Sequence, residues 1–118
     1  MKTILFYSAD FNLCLSLVVY LQNEFNVITT TNFDNLDEIV NATKLDLLFL
    51  DIDPDNKVES FCEDMRKNYQ NVPVIITYVY KSNLKLLDSK IRKNVNSVFY
   101  KPYDLEEISE RVKSLLAS

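Results

Sequence analysis

Residues 45–56, LDLLFLDIDPDN, decide the fold of this chain. The first six residues of this stretch are nearly all apolar, without the regular polar alternation of a strand that faces water on one side. A short run of this kind indicates a strand covered on both faces, which is typical of a parallel sheet. Because Asp51 and Asp53 follow directly, the stretch predicts a buried parallel strand with carboxylates at its carboxyl end.

Similar runs alternate with helical segments along the rest of the chain. The five predicted strands are Thr3–Tyr7, Val27–Thr30, Leu45–Leu50, Val74–Tyr78 and Ser97–Tyr100. The clearest predicted helix lies over Phe11–Phe25, and its apolar face consists of Cys14, Leu17, Val18, Leu21 and Phe25. Asp104 followed by Glu107 resembles a capping box and predicts the start of a last helix. The order strand-helix therefore repeats five times.

This repeat predicts one α/β domain over residues 1–118. We expect a doubly wound, flavodoxin-like fold, in which a five-stranded parallel sheet in the order 2-1-3-4-5 carries helices on both faces. In open sheets of this kind, ligands bind at the carboxyl ends of the strands. The residues to examine for chemistry are therefore Ser8, Ala9, Asp10, Asp51, Asp53, Thr77, Tyr78 and Lys101.

The chain contains no glycine. Walker loops, Rossmann turns and flavodoxin-type phosphate loops use glycine to bring backbone N–H groups close to a phosphate, so nucleotide and flavin binding by those routes is excluded. Turns with positive φ are expected at asparagine-rich junctions instead. These junctions are Asn23–Asn26, Asn32–Asn35 and Asn94–Asn96.

Charge and hydropathy limit the possible partners. The formal net charge is −4 and no basic stripe is present, so we expect no direct binding of nucleic acid. No apolar run approaches the roughly 20 residues that cross a bilayer. The first residues do not resemble a secretion signal, and we expect a cytoplasmic protein without a membrane partner. Cys14 and Cys62 lie far apart and are expected to be free thiols.

Asp51 and Lys101 are the residues whose chemistry stands out. The aspartate ends the third predicted strand and the dipeptide Lys101-Pro102 ends the fifth, so an anion and a cation meet at the same edge of the sheet. A carboxylate can attack phosphorus to give an acyl phosphate, while an ammonium group stabilises the added negative charge. The pair therefore suits phosphoryl chemistry.

Three stretches resemble the third-, fourth- and fifth-strand segments of receiver domains of two-component response regulators. They are LDLLFLDIDPDN (45–56), VPVIITYVY (72–80) and VFYKPYDLEEI (98–108). The resemblance implies that Asp51 is the phosphoacceptor, that Lys101 contacts the phosphoryl group and that the Lys101–Pro102 peptide is cis. It also implies a signalling domain that is not an enzyme, with a sensor histidine kinase or a downstream output protein as partner.

The chain departs from this family where receivers hold Mg²⁺. Receivers carry two acids after the first strand, and this chain has Ser8-Ala9-Asp10 there. If the chain is aligned with receivers from the start of the first strand, Ser8 and Ala9 occupy the positions of the two acids. If it is aligned backwards from the second strand, Ala9 and Asp10 occupy those positions. We expect weak or absent Mg²⁺ binding. The acids available for a weak site are Asp10, Asp51 and Asp53.

Two switch positions of the family are also substituted. The Thr or Ser that normally ends the fourth strand falls on Tyr78, which is expected to crowd the pocket, with Thr77 on the opposite face. The aromatic residue that normally rotates on activation falls on Val98. These departures favour an atypical pseudo-receiver, which binds proteins constitutively and is impaired in Mg²⁺-dependent phosphorylation. A functional switch phosphorylated on Asp51 by a sensor histidine kinase is the alternative.

Two further expectations concern function. Residues 47–55, LLFLDIDPD, also match the start of haloacid dehalogenase-type phosphatases, with Asp51 as nucleophile and Asp53 as acid–base, but too few residues follow for that fold.

A surface for a partner or a homodimer is expected on the fourth helix, fifth strand and fifth helix. Its aromatic and apolar residues are Tyr80, Leu84, Tyr100 and Tyr103, unless these side chains complete the core instead.

Overall fold

Strands and helices alternate along the computed structural model, which describes residues 1–117. The strands are β1 (Thr3–Ser8), β2 (Asn26–Thr30), β3 (Leu47–Asp51), β4 (Val74–Tyr78) and β5 (Ser97–Tyr100). The α-helices are α1 (Phe11–Leu21), α2 (Leu36–Ala42), α3 (Asn56–Asn68), α4 (Lys85–Arg92) and α5 (Leu105–Leu116). Short 3₁₀ turns, Phe33–Asn35 and Ser82–Leu84, precede α2 and α4. The predicted alternation of strands and helices is confirmed.

The strand pairings are parallel, and the order across the sheet is β2-β1-β3-β4-β5. This confirms the predicted doubly wound sheet. Every residue of β3 and β4 is buried, which explains why these strands read as apolar runs rather than as alternating patterns. The edge strand β5 is only partly buried.

Helices cover both faces of the sheet, as predicted. On the face covered by α1 and α5, Phe6 and Phe49 of the central strands pack edge to face, with ring centroids 4.8 Å apart. On the other face, Leu48, Leu50 and Ile76 pack beneath α2, α3 and α4. Side chains alternate along a strand, so each strand residue belongs to one layer only. This alternation decides which side chains meet at the carboxyl edge of the sheet.

Aspartate side chains set the starts of three helices. They accept hydrogen bonds from backbone N–H groups in the first turn, and they are Asp10, Asp55 and Asp104. Helix α1 ends at Leu21 rather than at the predicted Phe25, because the polar residues 22–24 form a turn. Phe25 still donates its N–H to the Leu21 carbonyl at 3.0 Å and remains buried.

The asparagine-rich junctions do not adopt the conformation that we expected. No residue between 1 and 117 has a positive φ, so that expectation is wrong. At the second junction an amide side chain closes the turn instead, because Asn32 Oδ1 accepts from the Asp34 N–H at 3.0 Å. At the third junction Asn96 Oδ1 accepts from the Val74 N–H at 3.0 Å, which joins the loop before β5 to the start of β4.

The two cysteines are free and buried. Burial raises the pKa of Cys62 to about 12, so this thiol stays protonated at neutral pH. None of the helices in the described part of the chain is long and apolar enough to cross a bilayer.

Candidate functional site

A row of polar side chains crosses the sheet at its carboxyl edge. The strand register places Ser8 beside Asp51 and Asp51 beside Thr77. Residues paired in this way point to the same face, so all three lie on the face covered by α1 and α5. Their exposed fractions are 0%, 7% and 0% respectively. The carboxyl ends of the three central strands therefore form one buried polar cluster.

The Asp51 carboxylate is the centre of this cluster. Its Oδ1 accepts a hydrogen bond from Thr77 Oγ1 at 3.0 Å and pairs with Lys101 Nζ at 2.5 Å. Its Oδ2 accepts from the Ser8 hydroxyl at 2.7 Å. The Ser8 oxygen in turn accepts from the Asp10 N–H at 3.0 Å. One cation and two hydroxyl donors thus compensate a buried carboxylate, which would otherwise be costly to desolvate.

Thr77, rather than Tyr78, is the fourth-strand residue that contacts Asp51. Tyr78 points to the opposite layer, where its hydroxyl donates to Asp88 of α4. The expectations that Tyr78 crowds the pocket and that Thr77 faces away are both wrong. The predicted position is off by one residue, because the pairing of β3 with β4 sets the register and the sequence of β4 alone does not show that pairing.

Lys101 reaches the cluster from the end of β5. Its backbone N–H donates to the Tyr78 carbonyl at 2.9 Å, and the Lys101–Pro102 peptide is cis. The Lys101 side chain is 35% exposed, whereas that of Asp51 is 6% exposed, so the ion pair lies at the boundary with solvent. It lies in an open cleft of about 290 Å³. The lining residues are Ser8, Ala9, Asp10, Asp51, Ile52, Asp53 and Lys101.

The donor set of this cleft does not fit a closely held Mg²⁺. Asp10 caps α1, where its Oδ1 accepts from two backbone N–H groups at 3.0 and 3.3 Å, and Asp53 is exposed. Asp51 is already paired with Lys101. Among residues 1–117, no three acidic, cysteine or histidine side chains converge closely enough to hold a metal. Mg²⁺ demands near-octahedral oxygen ligands, and this cleft has one deeply placed carboxylate to offer.

Tyr103 belongs to the neighbourhood of the cluster, although we expected it on the partner surface. Burial, reinforced by the nearby negative charge of Asp51, raises the pKa of Tyr103 to about 12. Its ring packs with the α1–α5 layer and lines an apolar cavity of about 530 Å³ beside Lys101. No sequence pattern predicts this placement, because Tyr103 lies in a loop, where no periodicity sets the direction of a side chain.

The expected partner surface is aromatic over part of its area. Tyr80 and Tyr100 are 41% and 38% exposed, and their ring centroids lie 5.1 Å apart. Leu84 and Val98, by contrast, are half-buried and pack against the layer of α2, α3 and α4. Two of the four predicted surface side chains, Tyr80 and Tyr100, are therefore available at this surface.

Several solved structures with the same architecture are response regulators. A response regulator from Thermotoga maritima superposes with a TM-score of 0.84 at 21% identity, over 100% of this chain and 99% of that chain. The response regulator TrrA from Thermotoga maritima, in complex with Mg²⁺ and BeF, gives a TM-score of 0.82 at 24% identity, over 98% and 100%. An orphan response regulator of H. pylori gives 0.82 at 14% identity, over 98% and 96%.

No protein-family model matches the chain, and no curated protein matches it. At such low identities, structural likeness establishes the fold and leaves the activity to be argued from the site. The chain thus has the α/β fold of response-regulator receiver domains, with an Asp51–Lys101 ion pair, of which the carboxylate is buried, at the edge where ligands bind in such sheets.

Proposed function

We propose that this chain is a receiver-type signalling domain that binds protein partners without requiring aspartyl phosphorylation. The observation that carries the proposal is the closed set of contacts around Asp51. Lys101 and Thr77 occupy one carboxylate oxygen and Ser8 occupies the other. The charge that Mg²⁺ would balance is balanced by the ammonium group instead, and phosphoryl transfer relies mostly on metal-assisted electrostatic stabilisation. The partner would be a sensor histidine kinase or an output protein.

Exposed apolar side chains support a role in protein binding. On α1, Phe11, Leu15 and Val19 recur every four residues and are 63%, 49% and 67% exposed. Tyr80, which follows β4, and Tyr100, the last residue of β5, form a second exposed group. Apolar side chains grouped at a surface mark interaction sites more often than scattered ones do. We propose that the two side chains Tyr80 and Tyr100, called the Tyr80–Tyr100 surface below, contribute to a partner or homodimer interface on the side of α4, β5 and α5.

A phosphoacceptor switch is the second candidate, and the contacts of Asp51 with Thr77 and Lys101 favour it. In this version an Asp51 oxygen attacks the phosphorus of a donor such as acetyl phosphate, the bond from that phosphorus to the donor breaks and acetate leaves, while the Lys101 ammonium and the Thr77 hydroxyl interact with the phosphoryl oxygens. The Ser8 hydroxyl would first have to release Oδ2. A haloacid dehalogenase-type phosphatase has less support, because the chain has the receiver fold and Asp53 is exposed.

Phosphorylation with a small-molecule donor separates the two candidates. We expect the wild type to gain no phosphoryl group from acetyl phosphate with Mg²⁺, as read by intact mass. Sedimentation should give the same self-association for the wild type, the wild type with beryllofluoride and Mg²⁺, and Asp51→Asn. Phosphoryl labelling of the wild type that is absent in Asp51→Asn would establish the switch. A tenfold difference in the association constant among the three samples, which corresponds to about 1.4 kcal/mol, would establish it as well.

Magnesium binding gives a second, independent prediction. The cleft lacks an acid at Ser8, and Asp10 is engaged as a helix cap, so Mg²⁺ should bind with a Kd in the millimolar range or weaker, as an order of magnitude. Isothermal titration calorimetry measures this directly. Ser8→Asp is expected to strengthen binding, because it adds a carboxylate beside Asp51. A micromolar Kd for the wild type would contradict the proposal.

A further inference from the structure

The opposite layer of the molecule contains a second buried carboxylate, which the Asp51 site does not use. Asp88 of α4 is 8% exposed. Its Oδ1 accepts hydrogen bonds from the hydroxyl of Tyr78 on β4 and from that of Tyr100 on β5, the latter at 2.8 Å. Its Oδ2 accepts from Arg92 Nε at 3.0 Å. One carboxylate on α4 is thus bonded to the two neighbouring strands and to its own helix.

Arg92 closes this network. Its Nη2 donates to the Tyr100 hydroxyl at 2.7 Å, while the same hydroxyl donates to Asp88. The rings of Tyr78 and Tyr100 pack edge to face with centroids 5.7 Å apart. Burial alone would raise the pKa of Asp88, but the two phenol hydroxyls and the guanidinium outweigh it and hold that pKa below its ordinary value. The charged form of Asp88 is therefore the one that the network holds.

Helix α4 has few other means of attachment to the sheet. It is eight residues long, and no side chain caps its N-terminus. Its buried residues are Asp88 and Ile91, whereas α3 buries Val58, Phe61, Cys62 and Met65. Isolated helices of this length are marginal in water and depend on tertiary contacts. One of the two buried side chains of α4 is thus charged.

We propose that Asp88, Tyr78, Tyr100 and Arg92 form a latch that holds α4 against β4 and β5 and keeps the Tyr80–Tyr100 surface in one arrangement. This deepens the proposed function, because a surface with one fixed arrangement can bind a partner constitutively. The latch stands on its own side-chain contacts, however, since no side chain of the latch bonds to a side chain of the Asp51 cluster, and the two groups meet through the backbone, where the Lys101 N–H donates to the Tyr78 carbonyl. The two carboxylates lie on opposite faces of the sheet. Their partners are nevertheless neighbours in sequence, because Asp51 contacts Thr77 and Lys101 whereas Asp88 contacts Tyr78 and Tyr100, so the two ideas are separated by experiment.

Amide hydrogen exchange on the full chain tests the latch. Exchange reports local opening, element by element. In Asp88→Asn and Tyr78→Phe, we expect amides of α4 and β5 to exchange at least tenfold faster than in the wild type, while those of β1 and β3 keep their rates. Tyr100→Phe removes the two hydrogen bonds that this hydroxyl makes with Asp88 and Arg92, but at a position that is 38% exposed, and it serves as the milder variant if the other two fail to fold. The matched controls are the exposed residues Asp64 and Tyr20, as Asp64→Asn and Tyr20→Phe.

The pattern of exchange decides the outcome. Faster exchange confined to α4 and β5 supports the latch. Unchanged exchange in α4, or an equal acceleration in all strands, overturns it, because Asp88 would then contribute nothing local. The samples for this exchange measurement contain neither Mg²⁺ nor a phosphoryl donor. A separate measurement on the wild type with beryllofluoride and Mg²⁺ tests the proposed function, which predicts no change in α4. Each idea can therefore fail without the other.

Discussion

Phe49→Ala should lower the free energy of unfolding by about 3–5 kcal/mol, which is the usual range for removing a buried phenyl ring. Phe49 is fully buried in the central strand β3, and its ring packs edge to face on that of Phe6. The substitution removes apolar burial and this aromatic contact, and it leaves a cavity between the sheet and the layer of α1 and α5. Because small domains are stable by roughly 5–15 kcal/mol, the loss is a large fraction of the total.

Urea unfolding at equilibrium measures this loss, and the chain supplies a matched control. Phe11→Ala deletes the same ring at a position that is 63% exposed, so its effect should stay within about 0.5 kcal/mol. An equal m-value for the two variants would show that the surface exposed on unfolding has not changed. A loss below about 1 kcal/mol for Phe49→Ala would contradict the placement of β3 at the centre of the sheet.

The architecture was predictable because hydrophobic patterning carries it. The unbroken apolar runs of β3 and β4 reflect burial on both faces, and the β-α order leaves few topologies open. Element ends were less predictable. The apolar pattern of α1 includes Phe25, and this side chain is indeed buried, yet the helix ends at Leu21. A side chain can be buried from a turn as well as from a helix, so the apolar pattern does not show where the helix ends.

The site was predictable in part. Asp51 and Lys101 end their strands, so the topology alone brings them to one edge. Thr77 was assigned to the wrong face because register is a property of strand pairing, and a slip of one residue exchanges the two faces of a strand. The direct contact between Ser8 and Asp51 also depends on register, and no local pattern predicts it.

The largest expected effect at the site concerns Asp51→Ala, which should lower the free energy of unfolding by about 2–4 kcal/mol. The substitution leaves the Ser8 and Thr77 hydroxyls, both fully buried, without their acceptor. A buried donor without a partner costs about 1–3 kcal/mol. Lys101 also loses its counter-ion, but its side chain is 35% exposed and can be hydrated, so this loss adds little.

The sign of this effect distinguishes two kinds of pocket. Where several carboxylates crowd together, removing one relieves repulsion between like charges, and the variant is at least as stable as the wild type. Around Asp51 the partners are donors and a cation instead, so the variant should be less stable. The stability of Asp51→Asn should lie between that of the wild type and that of Asp51→Ala, because an amide oxygen still accepts hydrogen bonds.

Asp53→Ala is the control for Asp51→Ala, because Asp53 lines the same cleft but is exposed, and its effect should stay within about 0.5 kcal/mol. Chemical denaturation of the three variants and the wild type at neutral pH compares them directly. If Asp51→Ala equals or exceeds the wild type in stability, the carboxylate is not held by its neighbours and is free to react, and the phosphoacceptor switch gains support. If it is destabilised as expected, the contacts of Asp51 hold the carboxyl edge of the sheet together, and any phosphoryl donor must first break them.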